Sequence, residues 1–114
     1  MSVGKFGEDL ALIYLKRQGY KIIERNFRIR GGEIDIIAQD NNTLVYIEVK
    51  TRTSHAFGLP EESVGYHKLK FIERASKFYR ANRKNLPQLE RIDVMSVDLS
   101  QRNPVFELIK NVSL

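Results

Sequence analysis

An α/β fold with a mixed central sheet flanked by helices is what this chain predicts, in the order α-β-β-β-α-β-β. Three observations carry it. Between about residues 20 and 52, apolar and polar side chains alternate with the two-residue period of strands, punctuated at Gly31-Gly32 and Asn41-Asn42. Stretches of helical spacing lie on both sides of that region, over about 5–18 and about 64–83. Two shorter strand-like runs follow, over about 91–99 and 104–110. Tight turns make the first three strands an antiparallel meander. The helix after them is a crossover, so the strand that follows it pairs parallel to an earlier one.

Each element has its own signal. In the first helix Phe6, Leu10, Ile13 and Tyr14 recur at helical spacing, and Gly19 ends it. The first strand is expected over about 20–30, and Gly31-Gly32 is expected to turn it back, since adjacent glycines take positive φ at little cost. Strands over about 33–39 and 43–52 meet at Asn41-Asn42, and residues 53–62, with Gly58 and Pro60, form a loop. On the second helix Leu69, Phe71, Ile72, Ala75, Phe78 and Tyr79 form an apolar arc. Lys70, Arg74, Lys77, Arg80 and Lys84 gather on the other side, and the helix closes before Pro87. Pro104 marks the turn between the last two strands.

At 114 residues the chain is one domain, 1–114, with a core of ordinary size. Its 42% hydrophobic and 29% charged residues suit a soluble protein, and no apolar run approaches a membrane span. The opening residues lack a signal peptide's apolar stretch, and a cytoplasmic location is expected. With no cysteine, disulfides, thiolate zinc sites and Cys nucleophiles are all excluded. A net charge of +5 favours a polyanionic partner, nucleic acid first.

The chemistry lies in the second and third strands. If Asn41-Asn42 is a two-residue turn, Asp40 faces Thr43, and counting back places Asp35 opposite Glu48. The same count from Gly31-Gly32 places Arg28 opposite Asp35 and Arg30 opposite Glu33. Alternation then puts Asp35, Glu48, Lys50, Glu33 and Arg28 on one face. Like charges directly opposed across strands are destabilising, so the two carboxylates need a cation. A divalent metal is one candidate, with Lys50 or Arg28 as the protein's own alternatives. Mg²⁺ suits hard oxygen ligands, and Lys50, one strand period beyond Glu48, would sit beside an attacking water or a developing negative charge. Lys68 either snorkels past the sheet edge or reaches the carboxylate cluster or a bound phosphate. Glu8, at the border of the first helix's apolar surface, is either a third acid of the site or a charge near a helix N-terminus. Other motifs are weak. Gly31-Gly32 is too short to cradle a phosphate. His55 and His67 have no metal-ligand spacing and read as surface or loop residues. Ser54 beside His55 implies no triad, and few aromatics interleave the basic segments.

Asp35 followed by Glu48-Val49-Lys50 resembles the core motif of the PD-(D/E)-x-K nuclease superfamily, whose fold has a restriction-endonuclease-like α-β-β-β-α-β core. A closer resemblance covers nearly the whole chain. Gly4-Lys5-Phe6-Gly7-Glu8, Asn26, Gly32-Glu33-Ile34-Asp35, Val45 to Arg52, Lys68 and Arg91-Ile92-Asp93 are similar to the endonuclease-like bacterial YraN family. The placement of Glu8, Asp35, Glu48 and Lys50 is also similar to archaeal Holliday-junction resolvases. The resemblance implies that Asp35 and Glu48, with the carbonyl of Val49, bind Mg²⁺ or Mn²⁺. It further implies that Lys50 assists the nucleophilic water and that Glu8 joins the catalytic set. The proline of the motif's name is replaced by Ile34, at a position that the resemblance implies is structural.

The expectation is a Mg²⁺-dependent DNA endonuclease acting on branched or irregular DNA in repair or recombination. Arg28, Arg30, Arg52 and Lys68 would bind the nucleic acid's phosphates. A homodimer would suit a two-fold junction, though nothing in the residues requires one. The alternative is a non-catalytic nucleic-acid-binding module of nuclease ancestry. A third reading, an adaptor docking an acidic protein on its basic helix, has no anchor pattern behind it.

Overall fold

Local capping bounds the first helix at both ends. In the computed structural model, which describes residues 2–54 and 65–112, helix α1 spans Val3–Arg17. Ser2 Oγ accepts the Lys5 N–H at 3.1 Å, a side-chain N-cap. At the other end Gly19 takes φ 92. The Tyr20 N–H then donates to the Leu15 carbonyl at 3.0 Å, and the Gly19 N–H to that of Lys16 at 3.1 Å. These are the two bonds of a Schellman motif, and Tyr20 and Leu15 join the same core cluster.

The chain continues as β1 (Lys21–Ile29), β2 (Gly32–Asp40), β3 (Thr43–Arg52), α2 (Tyr66–Ala81), β4 (Leu89–Asp98) and β5 (Val105–Ile109). The five strands lie in one sheet in chain order. β3 pairs parallel with β4 across the α2 crossover, and the other neighbours are antiparallel. This is a restriction-endonuclease-like α/β arrangement with a mixed sheet. Alternate residues of β3 separate the two cores. Val45, Ile47 and Val49 pack with Ala11 and Leu15 of α1. Leu44 and Tyr46 pack with Phe71, Ile72, Ala75 and Tyr79 of α2. The helices therefore cover opposite faces of the sheet.

The helix faces differ from expectation in detail. Phe6 and Ile13 are 45% and 49% exposed, and the buried stripe of α1 is Gly7, Ala11 and Leu15. The cause is close approach: a Cβ on Gly7 would fall on the Thr51 hydroxyl and lie 2.9 Å from Thr51 Cβ. Small residues face the sheet, and larger ones are left outside. On α2, Phe78 is exposed rather than part of the buried arc. Arg80 turns toward the sheet instead of joining the outer cations, donating to Glu90 Oε2 and the Pro87 carbonyl at 2.6 Å each.

The β1–β2 register also differs. The turn is centred on Arg30-Gly31, with Ile29 paired to Gly32 and Arg28 to Glu33. Arg28 is therefore not opposite Asp35, and Arg30 is not opposite Glu33. Gly31 supplies the positive φ, 104. Gly32 pairs within the ladder, where a Cβ would press on the Phe71 ring at 3.2 Å. The turn expected at Asn41-Asn42 is present, with Asp40 paired to Thr43. Most of the loop expected over 53–62, His55 included, lies outside the described residues.

Candidate active site

The site forms where β2 and β3 part. Their ladder keeps the predicted register as far as Ile36 opposite Ile47. One step further, Asp35 does not simply face Glu48: its Oδ2 accepts the backbone N–H of Val49 at 2.8 Å. The pleat of β2 breaks at the same place. Ile34 and Ile37 belong to the α2 cluster, whereas Ile36 and Ala38 belong to the α1 cluster. Strict alternation would have put Ile34 with Ile36, so the flip occurs at Asp35. The adjacent strand is irregular at the matching point. Arg25 pairs with Ile36 and Phe27 with Ile34, and Asn26 between them has φ 51.

The acids consequently converge from both sides of a fork rather than lying on one flat face. On the α1 side, Glu8, Glu33 and Asp35 each bring a carboxylate oxygen within 4.8 Å of the others. The Asn26 amide Nδ2 donates to Glu8 Oε1 at 3.0 Å and to Glu33 Oε1 at 3.1 Å. Arg28 Nε meets Glu33 Oε2 at 2.9 Å. On the α2 side, Lys50 Nζ lies 3.8 Å from Glu48 Oε1, and Lys68 Nζ lies 3.3 Å from Glu48 Oε2. Lys68 also donates to the Glu33 carbonyl at 3.0 Å, so it reaches the carboxylates instead of snorkelling away.

Electrostatics sets this cluster apart from a surface ion-pair network. Asp35 and Glu48 are 7% and 6% exposed. Burial, followed by the charge of Glu48, pushes the Asp35 carboxyl up to about 7, against the Val49 N–H and Lys68, which lower it. Burial likewise raises Glu48, with Lys68 and Lys50 opposing. Glu48 Oε2 is buried, and its partner is the Lys68 ammonium 3.3 Å away. Two neighbouring buried acids are costly to keep ionised unless cations face them. Hard oxygen donors in this setting fit a divalent cation.

A family profile described as "Uncharacterised protein family UPF0102" matches residues 7–97. The chain belongs to that family. A UPF0102 protein of Geobacter metallireducens is 47% identical over 96% of this chain and 90% of its own length. One from Persephonella marina is 47% identical over 82% of this chain and 81% of its own. One from Syntrophus aciditrophicus is 43% identical over 97% and 87%. The stretch matched by the UPF0102 profile takes in Glu8, Asn26, Glu33, Asp35, Glu48, Lys50 and Lys68 and leaves β5 outside. The YraN resemblance drawn from the motifs is thereby confirmed.

Of the residues singled out in the sequence, Glu8, Asp35, Glu48, Lys50 and Lys68 meet at the fork. Arg28 joins them only through Glu33, and its side chain is 77% exposed. Arg30 is exposed in the β1–β2 turn, its carbonyl accepting from Arg74 at 3.1 Å. Arg52 ends β3, and its carbonyl accepts the Leu99 N–H. His67 is a surface residue stacked edge-on against Tyr66. Arg91 and Asp93, which also carry the family resemblance, are absent from the fork. The Arg91 guanidinium joins Tyr20, Asp40 and Asp93 at 2.8–3.0 Å, clasping the start of β1 to the end of β2 and to β4. Two site residues escape sequence reasoning. Alternation places Glu33 on the right strand but gives it no role, and Asn26 is visible only as a polar amide within the family match.

Proposed function

We propose that this protein is a divalent-metal-dependent DNA endonuclease that hydrolyses phosphodiester bonds in branched or otherwise irregular DNA during repair or recombination. The observation that carries this reading is a pair of buried acids, Asp35 and Glu48, with Lys50 and Lys68 both ion-paired to Glu48. Packing alone has no use for such a pair. Asp35, Glu48 and the Val49 carbonyl are the groups that would hold Mg²⁺ or Mn²⁺, with Glu8 as a further acid of the set. Such an ion, when bound, polarises the scissile phosphate and lowers the pKa of the attacking water.

The chain's own groups supply position and charge. Asp35 fixes the Val49 peptide by accepting its N–H. Lys50, held 3.8 Å from Glu48 Oε1 and partly open to solvent, is placed to orient the water or to donate to the charge that develops on the phosphate. Lys68 ties α2 to both strands of the fork and, with three N–H donors, keeps one for a phosphate oxygen. Arg28, Arg30 and Arg52 would contact the DNA's phosphates, giving salt-sensitive binding of little sequence specificity.

The test is incubation with Mg²⁺ or Mn²⁺ and linear, flapped and four-way-junction DNA, beside Asp35→Asn, Glu48→Gln and Lys50→Ala. Cleavage is expected on at least one substrate, with each substitution lowering the rate by roughly 10²-fold or more. Cleavage that survives all three substitutions would belong to a contaminant and end this reading. Binding without cleavage on every substrate would instead favour a non-catalytic nucleic-acid-binding module.

A further inference from the structure

The Asn26 amide bridges two carboxylates that arrive from different elements, Glu8 from α1 and Glu33 from β2. Brought together without a donor between them, those acids would repel each other. A lysine or arginine in that place would hold them but cancel part of their charge. A neutral amide holds both without adding a positive charge beside Asp35, whose oxygen lies within 4.8 Å of theirs. Residue choice is narrow here for a second reason. Asn26 has φ 51, a region that Asn enters more readily than other residues with side chains. Gly would accept this backbone but offers no donor. The positive φ at Asn26 also falls opposite Asp35, where the β2 pleat breaks.

We infer that Asn26 is a positioning residue that clamps Glu8 to Glu33, so that acids from a helix and a strand act as one unit toward the cation at Asp35. The inference rests on the metal-site reading above. Partners that orient a metal site's ligands without touching the ion commonly contribute 10- to 100-fold to its affinity. The Arg28–Glu33 pair cannot replace the clamp: it touches only Glu33, and Arg28 is largely in water.

The experiment is Mn²⁺ titration by calorimetry on the wild type, Asn26→Gly, Glu8→Gln and the double variant, with thermal melts in parallel. Asn26→Gly keeps a residue at home at positive φ and removes the amide, so the melting temperature should hold. Mn²⁺ affinity should fall about 10-fold or more. Adding Asn26→Gly to Glu8→Gln should cost little further affinity, because the two changes act on one unit. Wild-type Mn²⁺ affinity in Asn26→Gly overturns the inference, as does a double variant in which the two losses simply add. Asp35→Asn is the separate control. If Asp35→Asn retains Mn²⁺ binding, the metal-site reading fails and the clamp with it. If Asp35→Asn loses Mn²⁺ while Asn26→Gly does not, the metal site stands and only the clamp falls.

Discussion

Asp35 shows how one residue can serve a site at the expense of its fold. Its pKa is raised from 3.8 to about 7 by burial and then by Glu48. The folded protein therefore binds this proton more tightly than the unfolded chain does. The favourable contribution is complete below the unfolded value near 4 and is lost as pH rises through about 7. Without metal, the protein should resist urea better at pH 5.5 than at pH 8. Asp35→Asn should raise stability at pH 8, and by about 2 kcal/mol less at pH 5.5. An Asn oxygen still accepts the Val49 N–H, so the fork is kept. Mn²⁺ at pH 8 should stabilise the wild type by mass action and leave Asp35→Asn unmoved. Equal urea midpoints for the two proteins at pH 8 would mean that Asp35 carries no such penalty.

At the scale of elements, α1 is a delivery arm for Glu8, and Gly7 sets its height. Since a Cβ there would collide with Thr51, Gly7→Ala must lift the helix or displace β3. Overpacking of this kind costs about 1–3 kcal/mol. The expected signature is a lower melting temperature together with weaker Mn²⁺ binding, because Glu8 is the next residue. Gly4→Ala is the control, since its Cβ meets nothing within 4 Å. Comparable losses in both variants would show that helix height is not the cause. The contrast between Gly4 and Gly7 also shows what a sequence can reveal of this fold. Element order and the parallel pairing of β4 with an earlier strand are legible, because hydrophobic period, turn residues and crossover logic are local or topological. The register of β1 on β2 is not, because Gly31-Gly32 permits a turn in either frame. Nor can periodicity announce the flip at Asp35, since alternation carries no mark of the residue where it stops. Asp35, Glu48 and Lys50 are visible because charge among aliphatics is conspicuous, whereas the role of Asn26 depends on a positive φ and on a helix distant in sequence.

Over the whole molecule, charge is strongly segregated. Between residues 66 and 84 stand seven cations and a single acid, Glu73, enough to exceed the +5 of the whole chain. Three of the seven are engaged by acids elsewhere: Lys68 by Glu48, Arg80 by Glu90 and Arg83 by Glu24. Lys70, Arg74, Lys77 and Lys84 face outward and are exposed. The first three recur on one side of α2, a stripe of roughly 10 Å at the helical rise. Arg74 fastens that stripe to the β1–β2 turn, beside Arg28 and the mouth of the fork. A DNA backbone engaged at the fork would then run along α2. Removing Lys70, Arg74 and Lys77 together as Gln should weaken DNA binding and flatten its salt dependence by about 0.9 in slope for each phosphate no longer neutralised. Mn²⁺ affinity should not move, because none of the three touches the acids. Lys16→Gln with Arg17→Gln, at the far end of α1, removes charge from the opposite face of the sheet and should leave the slope nearly unchanged. Fluorescence anisotropy across a salt series measures both. If the α1 pair flattens the slope as much per charge as the α2 set, attraction follows net charge alone and α2 is not the track.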